Sequence, residues 1–171
     1  MSDIDRRAIF GGLAAAGGLV AASGAIAAPA VLPLSDLRKE ADVACLYHCD
    51  FGDPARFSQM LVNIANHYSA AGSNPFDLQL AIVAHGAGVK FFLESLEGTA
   101  WAEEVTVPQI FSRVAPLAQS GLKVYLCKIT FERQKIDMEK ARKAPFIQFV
   151  PSGVATVAAL QSKGFAYIKI G

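Results

Sequence analysis

The chain predicts an α/β fold: a mostly parallel sheet of about five strands, covered by helices on both faces. Three observations carry that expectation. Apolar runs of strand length recur at 42–49, 76–86, 122–127, 144–150 and 165–170. Helical or loop stretches separate them, punctuated by Gly and Pro, over about 140 residues without a fixed-period repeat, the pattern of strands laid parallel under crossover helices. Of the 171 residues, 53% are hydrophobic and 18% charged, enough to bury the core of one compact domain and too apolar for disorder.

Before the first strand, "MSDIDRRAIFGGLAAAGGLVAASGAIAAPA" places Arg6 and Arg7 ahead of an uncharged Gly/Ala-rich run and small residues. This is the layout of a secretory signal, with A-x-A-like sites at Ala25-Ile26-Ala27 and Ala28-Pro29-Ala30. The adjacent arginines and mild hydrophobicity match a twin-arginine signal, although Asp5 stands where such signals carry Ser or Thr. Residues 1–27 are therefore expected to be the signal, 28–41 an N-terminal arm, and 42–171 a single domain working in the periplasm, free of the membrane once the signal is cut. The alternative is an uncleaved anchor, which a span of about 20 strongly apolar residues would support better than this Gly/Ala run does.

Within the domain, "DVACLYHC" (42–49) reads as the first strand, and "DFGDP" as a loop that starts a helix, with Asp53 as N-cap and Pro54 at the first helical position. Phe57, Met60, Leu61, Ile64, Ala65 and Tyr68 follow at helical spacing up to Gly72. "FDLQLAIVAHG" (76–86) is the second strand, residues 87–96 suit a short helix, and the following loop carries the single tryptophan, Trp101. Residues 108–121 read as a helix bent or split by Pro116. "LKVYLC" (122–127) is the third strand, 130–143 a polar surface helix or ordered excursion, and "APFIQFVPSG" contains the fourth strand. A helix from Pro151 to Gly164 and the strand "FAYIKI" close the chain.

A net charge of +1 and the lack of a basic stripe give no reason to expect a nucleic-acid partner. The cysteines are more informative. In an oxidising compartment cysteines tend to pair, and three cannot all do so. Cys45 and Cys49, four residues apart on one strand, are about 13 Å apart at strand rise, whereas a disulfide needs Cα atoms within about 7 Å. At least one thiol is left free or meets a partner outside the chain.

In open parallel sheets, ligands bind outside the carboxyl ends of the strands, where Cys49, His85 and Cys127 are all expected to stand. Cys127, followed by Lys128, is the first candidate for a reactive thiol, because a nearby cation or helix N-terminus raises the thiolate fraction. The bland alternative is a small buried hydrophobe. His85, beside Gly86, is placed to orient or deprotonate a thiol or to ligate a metal, and a core histidine explains it equally well. His48 and Cys49 point to opposite faces of their strand, so one of them at most looks into a given pocket. Cys49, His85 and Cys127 together make a weak candidate metal set, thiolate and imidazole suiting zinc or copper, without the close spacing of a C-x-x-C pair. No G-x-S-x-G, P-loop, H-E-x-x-H or G-x-G-x-x-G motif is present.

Four segments, "CLYHCDFGDPARFSQMLVNIANHYSAAG", "LAIVAHGAGVKFFL", "GLKVYLCKITF" and "FVPSGVATVAALQSKGFAYIKI", resemble the DsrE/DsrF-like (YchN-like) sulfur-relay family in order and spacing over residues 42–171. The resemblance implies a three-layer α/β/α domain, assembly into trimers or hexamers, and a cysteine carrying sulfur as a persulfide, the place matched by Cys127. His85 matches a His-Gly pair common in the family. Export and Cys49 depart from the family pattern.

The expected function is accordingly a periplasmic sulfur carrier or sulfurtransferase-like protein. It would hold sulfane sulfur on Cys127, need no cofactor, and exchange sulfur with a partner protein or small sulfur compound. The alternatives are a ligand- or metal-binding or scaffold protein of a periplasmic redox system, or a stabilising Cys49–Cys127 disulfide, should their strands be neighbours. The segment around Phe91 and Phe92 and the loop with Trp101 are candidate subunit contacts, with core packing the competing explanation.

Overall fold

The computed structural model describes residues 29–72, 77–104 and 110–171; the expected signal, residues 1–27, lies outside them. Five strands form one sheet in the order β4-β3-β2-β1-β5, and every pairing is parallel. They are β1 (Val43–Cys49), β2 (Leu78–Ala84), β3 (Lys123–Cys127), β4 (Ile147–Val150) and β5 (Ala166–Ile168). Helices α1 (Pro54–Ala70), α2 (Val114–Gln119), α3 (Lys128–Gln134) and α4 (Gly153–Ser162) alternate with them. This is the expected α/β/α class.

The chain lays down β1 to β4 in one direction, then crosses back to set β5 on the far side of β1. Because such crossovers are right-handed, reversing direction moves the connecting helix to the other face. Helix α4 is that helix. Its Leu160 packs there with Leu46, Ala81, Val83, Tyr125 and Val150 of the sheet and Leu37 of the arm in one core. On the opposite face, α1, the segment after β2 and α2 pack against Tyr47, Cys49, Leu80, Ile82 and Leu126. Buried on both faces, β2 is apolar almost throughout, as an inner parallel strand requires.

Helix α1 forms where its capping residues require. The Asp53 carboxylate accepts from the Arg56 N–H at 2.7 Å, and Pro54 supplies no N–H to be left orphaned. Phe57, Met60, Leu61, Ile64 and Tyr68 fall on one stripe and are buried, and Phe57 stacks on Phe91 with ring centroids 4.0 Å apart.

Two expectations need correction. The helix expected over 87–96 is a tighter 3-10 helix, Gly86–Phe92. It turns inward directly after β2, over the end of β1, and only Gly88 fits there: a Cβ would stand 2.1 Å from the Cys49 carbonyl oxygen. Phe91 and Phe92 are therefore carried into the core, 1% and 0% exposed, and offer no contact surface. Trp101 is half-buried and packs against the same core. The segment read as 108–121 starts outside the described residues and resolves into a 3-10 turn, Phe111–Arg113, followed by α2, with Pro116 in the first turn, where its missing N–H costs little. The polar stretch 130–143 divides into α3, begun at Lys128, and a 3-10 turn at Met138–Lys140. Among the described residues no helix is long and apolar enough to cross a membrane.

Candidate functional site

The site forms where β2 and β3 end, on the face that α4 covers. Side chains alternate along a strand, so His85 follows Val83 and Cys127 follows Tyr125 onto that face. Gly86, at φ +55°, turns the chain away immediately, and its N–H donates to Thr130 Oγ1 at 3.0 Å. His85 and Cys127 line one cleft of about 430 Å³, together with Thr130, Arg133, Ser152 and Val154. Cys127 is 5% exposed and stands at the N-cap position of α3, without a side-chain capping bond. Lys128 pairs with Glu132 at 2.7 Å, one turn along α3.

Cys49 stands apart from this group. It pairs in register with Ala84, which pairs with Leu126, and that row belongs to the α1 face, opposite Cys127. Strand β2 also lies between β1 and β3, so the Cys49–Cys127 disulfide considered as an alternative does not form, and all three cysteines are free thiols. The set Cys49, His85 and Cys127 cannot converge on a metal. Among the described residues no cluster of three or more His, Cys, Asp or Glu side chains has a metal-holding arrangement. Burial, reinforced by the neighbouring Asp50 charge, pushes the Cys49 thiol far above its ordinary range, and burial raises Cys45 as well. Both belong to the core packed under α1.

The residue that β1 contributes to the site is His48. Its Nε2 shares a hydrogen bond with His85 Nε2 at 2.6 Å, and its Nδ1 bonds the Tyr167 hydroxyl of β5 at 2.8 Å. The two imidazole rings lie 4.8 Å apart. Burial lowers the His85 pKa, His48 lowers it further, and Asp50 acts against both. Gly153, the first residue of α4, lies directly on His85: a Cβ there would sit 2.7 Å from the His85 Cβ. Strand alternation allows one of His48 and Cys49 into the cleft. Both faces of β1 carry apolar residues, so the pattern gave no basis for choosing, and Tyr167, 119 residues from His48, had no local signal.

The arrangement defines an α/β protein with one thiol and a histidine pair at the carboxyl end of a parallel sheet. The DsrE/DsrF-like family model matches residues 44–170, and the chain belongs to that family, one tied generally to sulfur relay. Among solved structures it is similar to MTH1491 of Methanobacterium thermoautotrophicum, described as a protein of unknown function, with 20% identity and a TM-score of 0.58 over 75% of this chain and 99% of that one. At that identity the likeness concerns the fold. No curated protein matches the chain.

Proposed function

We propose that this protein is a periplasmic sulfur carrier that holds sulfane sulfur as a persulfide on Cys127 and passes it to a partner. The observation that carries the reading is the placement of Cys127: it lines a cleft at the carboxyl edge of the sheet with His85, whereas Cys45 and Cys49 are packed in the core. A thiol there meets a small donor while the sheet behind it stays rigid.

Loading requires no external oxidant. The Cys127 thiolate attacks the outer sulfur of a persulfide or polysulfide, an S–S bond forms to Cys127, the donor's S–S bond breaks, and the remaining donor sulfur leaves as a thiolate that takes up a proton. Delivery is the same exchange with an acceptor thiol. Val154 and Ile129, both exposed apolar residues, flank the cleft and suit docking of a partner protein. Assembly into a homo-oligomer and export through the residue 1–27 signal belong to the same reading.

Intact mass spectrometry after incubation with polysulfide tests it. A gain of about 32 Da, one sulfur, is expected and should vanish in Cys127→Ser. Sulfur loading that persists in Cys127→Ser would remove Cys127 from the role. Stoichiometric metal in the purified protein, lost on mutating His85 and Cys127, would favour a metal-binding module instead.

A further inference from the structure

Three polar side chains run from the Cys127 cleft to the edge of the sheet. His85 lines the cleft, His48 follows on β1, and Tyr167 ends the row on β5, 40% exposed to solvent. The His48–Tyr167 link, 2.8 Å, is of ordinary length, and the His48–His85 link, 2.6 Å, is shorter than the usual range for a nitrogen donor. Two imidazole nitrogens facing each other at that distance hold one proton between them, since two donors would repel and two lone pairs would make no bond. The tautomers of His48 and His85 are consequently locked together, and the Tyr167 hydroxyl, free to turn, can donate to or accept from His48 Nδ1.

We propose that Tyr167, His48 and His85 form a proton relay connecting the Cys127 cleft with solvent at the β5 edge. Tyr167 and His48 are positioning residues that act through His85. In one state His85 carries its proton on Nε2 and His48 on Nδ1, which leaves His85 Nδ1 open as a base.

When a proton is released in the cleft, an N–H bond forms at His85 Nδ1. The Nε2 proton of His85 passes to His48 Nε2, the Nδ1 proton of His48 passes to the Tyr167 oxygen, and the Tyr167 hydroxyl proton leaves to water. Every step breaks one N–H or O–H bond and makes another, and neither ring becomes an imidazolium. That neutrality suits a half-buried site, where a charged ring is disfavoured. Running backwards, the same relay returns a proton to the cleft, which the departing thiolate of a sulfur donor requires. Of the charged groups, Asp50 in the β1–α1 loop acts on His85 and Arg133 of α3 lines the cleft, while α4 and its cap contribute Ser152, Gly153 and Val154, none of them charged.

The relay depends on the proposed role of Cys127 only for its proton source, so its test uses an electrophile unrelated to sulfur transfer. Alkylation of Cys127 by iodoacetamide is followed by peptide mass spectrometry across pH in the wild type, Tyr167→Phe and His48→Gln, with imidazole tautomers read by long-range 15N–1H NMR. At neutral pH both variants should alkylate at least about tenfold more slowly, the scale of a lost general base, and lose the inflection in the histidine range. His85 in both should rest in a single tautomer.

Unchanged rates and pH profiles in the two variants would overturn the relay. So would stoichiometric Zn(II) binding lost in His48→Gln, because the ion would occupy the nitrogens that pass the proton. If polysulfide loading fails while the alkylation effects appear, the sulfur-carrier reading falls and the relay stands.

Discussion

Replacing Gly153 with alanine should strain the fold and the site together. An added Cβ would meet His85 Cβ, Cδ2 and Cγ at 2.7, 2.8 and 2.9 Å. Carbon atoms settle at about 3.5–4.0 Å, so the two segments must separate by on the order of 0.7 Å. Turning the His85 ring does not relieve a clash on its Cβ, and the His85 backbone is held by its N–H bond to the Cys49 carbonyl at 3.1 Å. The strain therefore falls on the start of α4, whose Thr156 and Leu160 are fully buried, or on the His48–His85 bond. Overpacking of this kind costs about 1–3 kcal/mol. Alanine recovers about 0.5–1 kcal/mol by restricting the unfolded chain and favouring helix. The net is a loss of up to about 2.5 kcal/mol, a fall in Tm of up to about 10 °C for a domain of this size. Calorimetry measures that fall, and the His85 15N shifts report the lost bond. A Gly153→Ala protein that melts with the wild type and keeps its His85 shifts would refute the reasoning.

Acid should weaken the fold through His85. Its folded pKa lies below the ordinary value of 6.5, so as pH falls the unfolded chain takes up a proton first. The contribution is complete above about pH 6.5 and declines as pH drops towards the folded pKa; urea midpoints at about pH 7 and pH 5.5 should show a smaller loss in His85→Gln than in the wild type. Lys135 is the one described non-glycine residue at positive φ, +54°, where it ends α3. Lys135→Gly should stabilise the protein by about 0.5–1 kcal/mol, visible as a higher urea midpoint with unchanged slope.

Strand and helix order was legible because β1, β2 and β3 are mostly apolar runs between Gly, Pro and Asp punctuation, and because Asp53-Pro54 marks a helix start by chemistry that needs no tertiary partner. Cys127 and His85 were legible for a related reason: each is the first polar or reactive residue where an apolar run ends. The face of β1 was not. Its register against β2 decides whether His48 or Cys49 looks toward α4, and register follows from packing on both sides of the sheet. The segment after β2 misled because glycines suggested a helix start, whereas Gly88 is there to let the backbone pass against Cys49. Tyr167 lies on a strand of three residues, and only the sheet order brings it to His48.

The arm before β1 leaves a mark on the other end of the sheet. Val31 bridges Phe149 in parallel and the Leu32 N–H donates to the Phe149 carbonyl at 2.8 Å, so the outer edge of β4 is already taken at Phe149. At the opposite border β5 is too short to template a long ladder. A sheet whose inner strands are this apolar would aggregate readily if an edge strand were long and bare. Here a few residues of N-terminal chain act as the stopper, and a truncation reaching Leu32 would trade it for an open border.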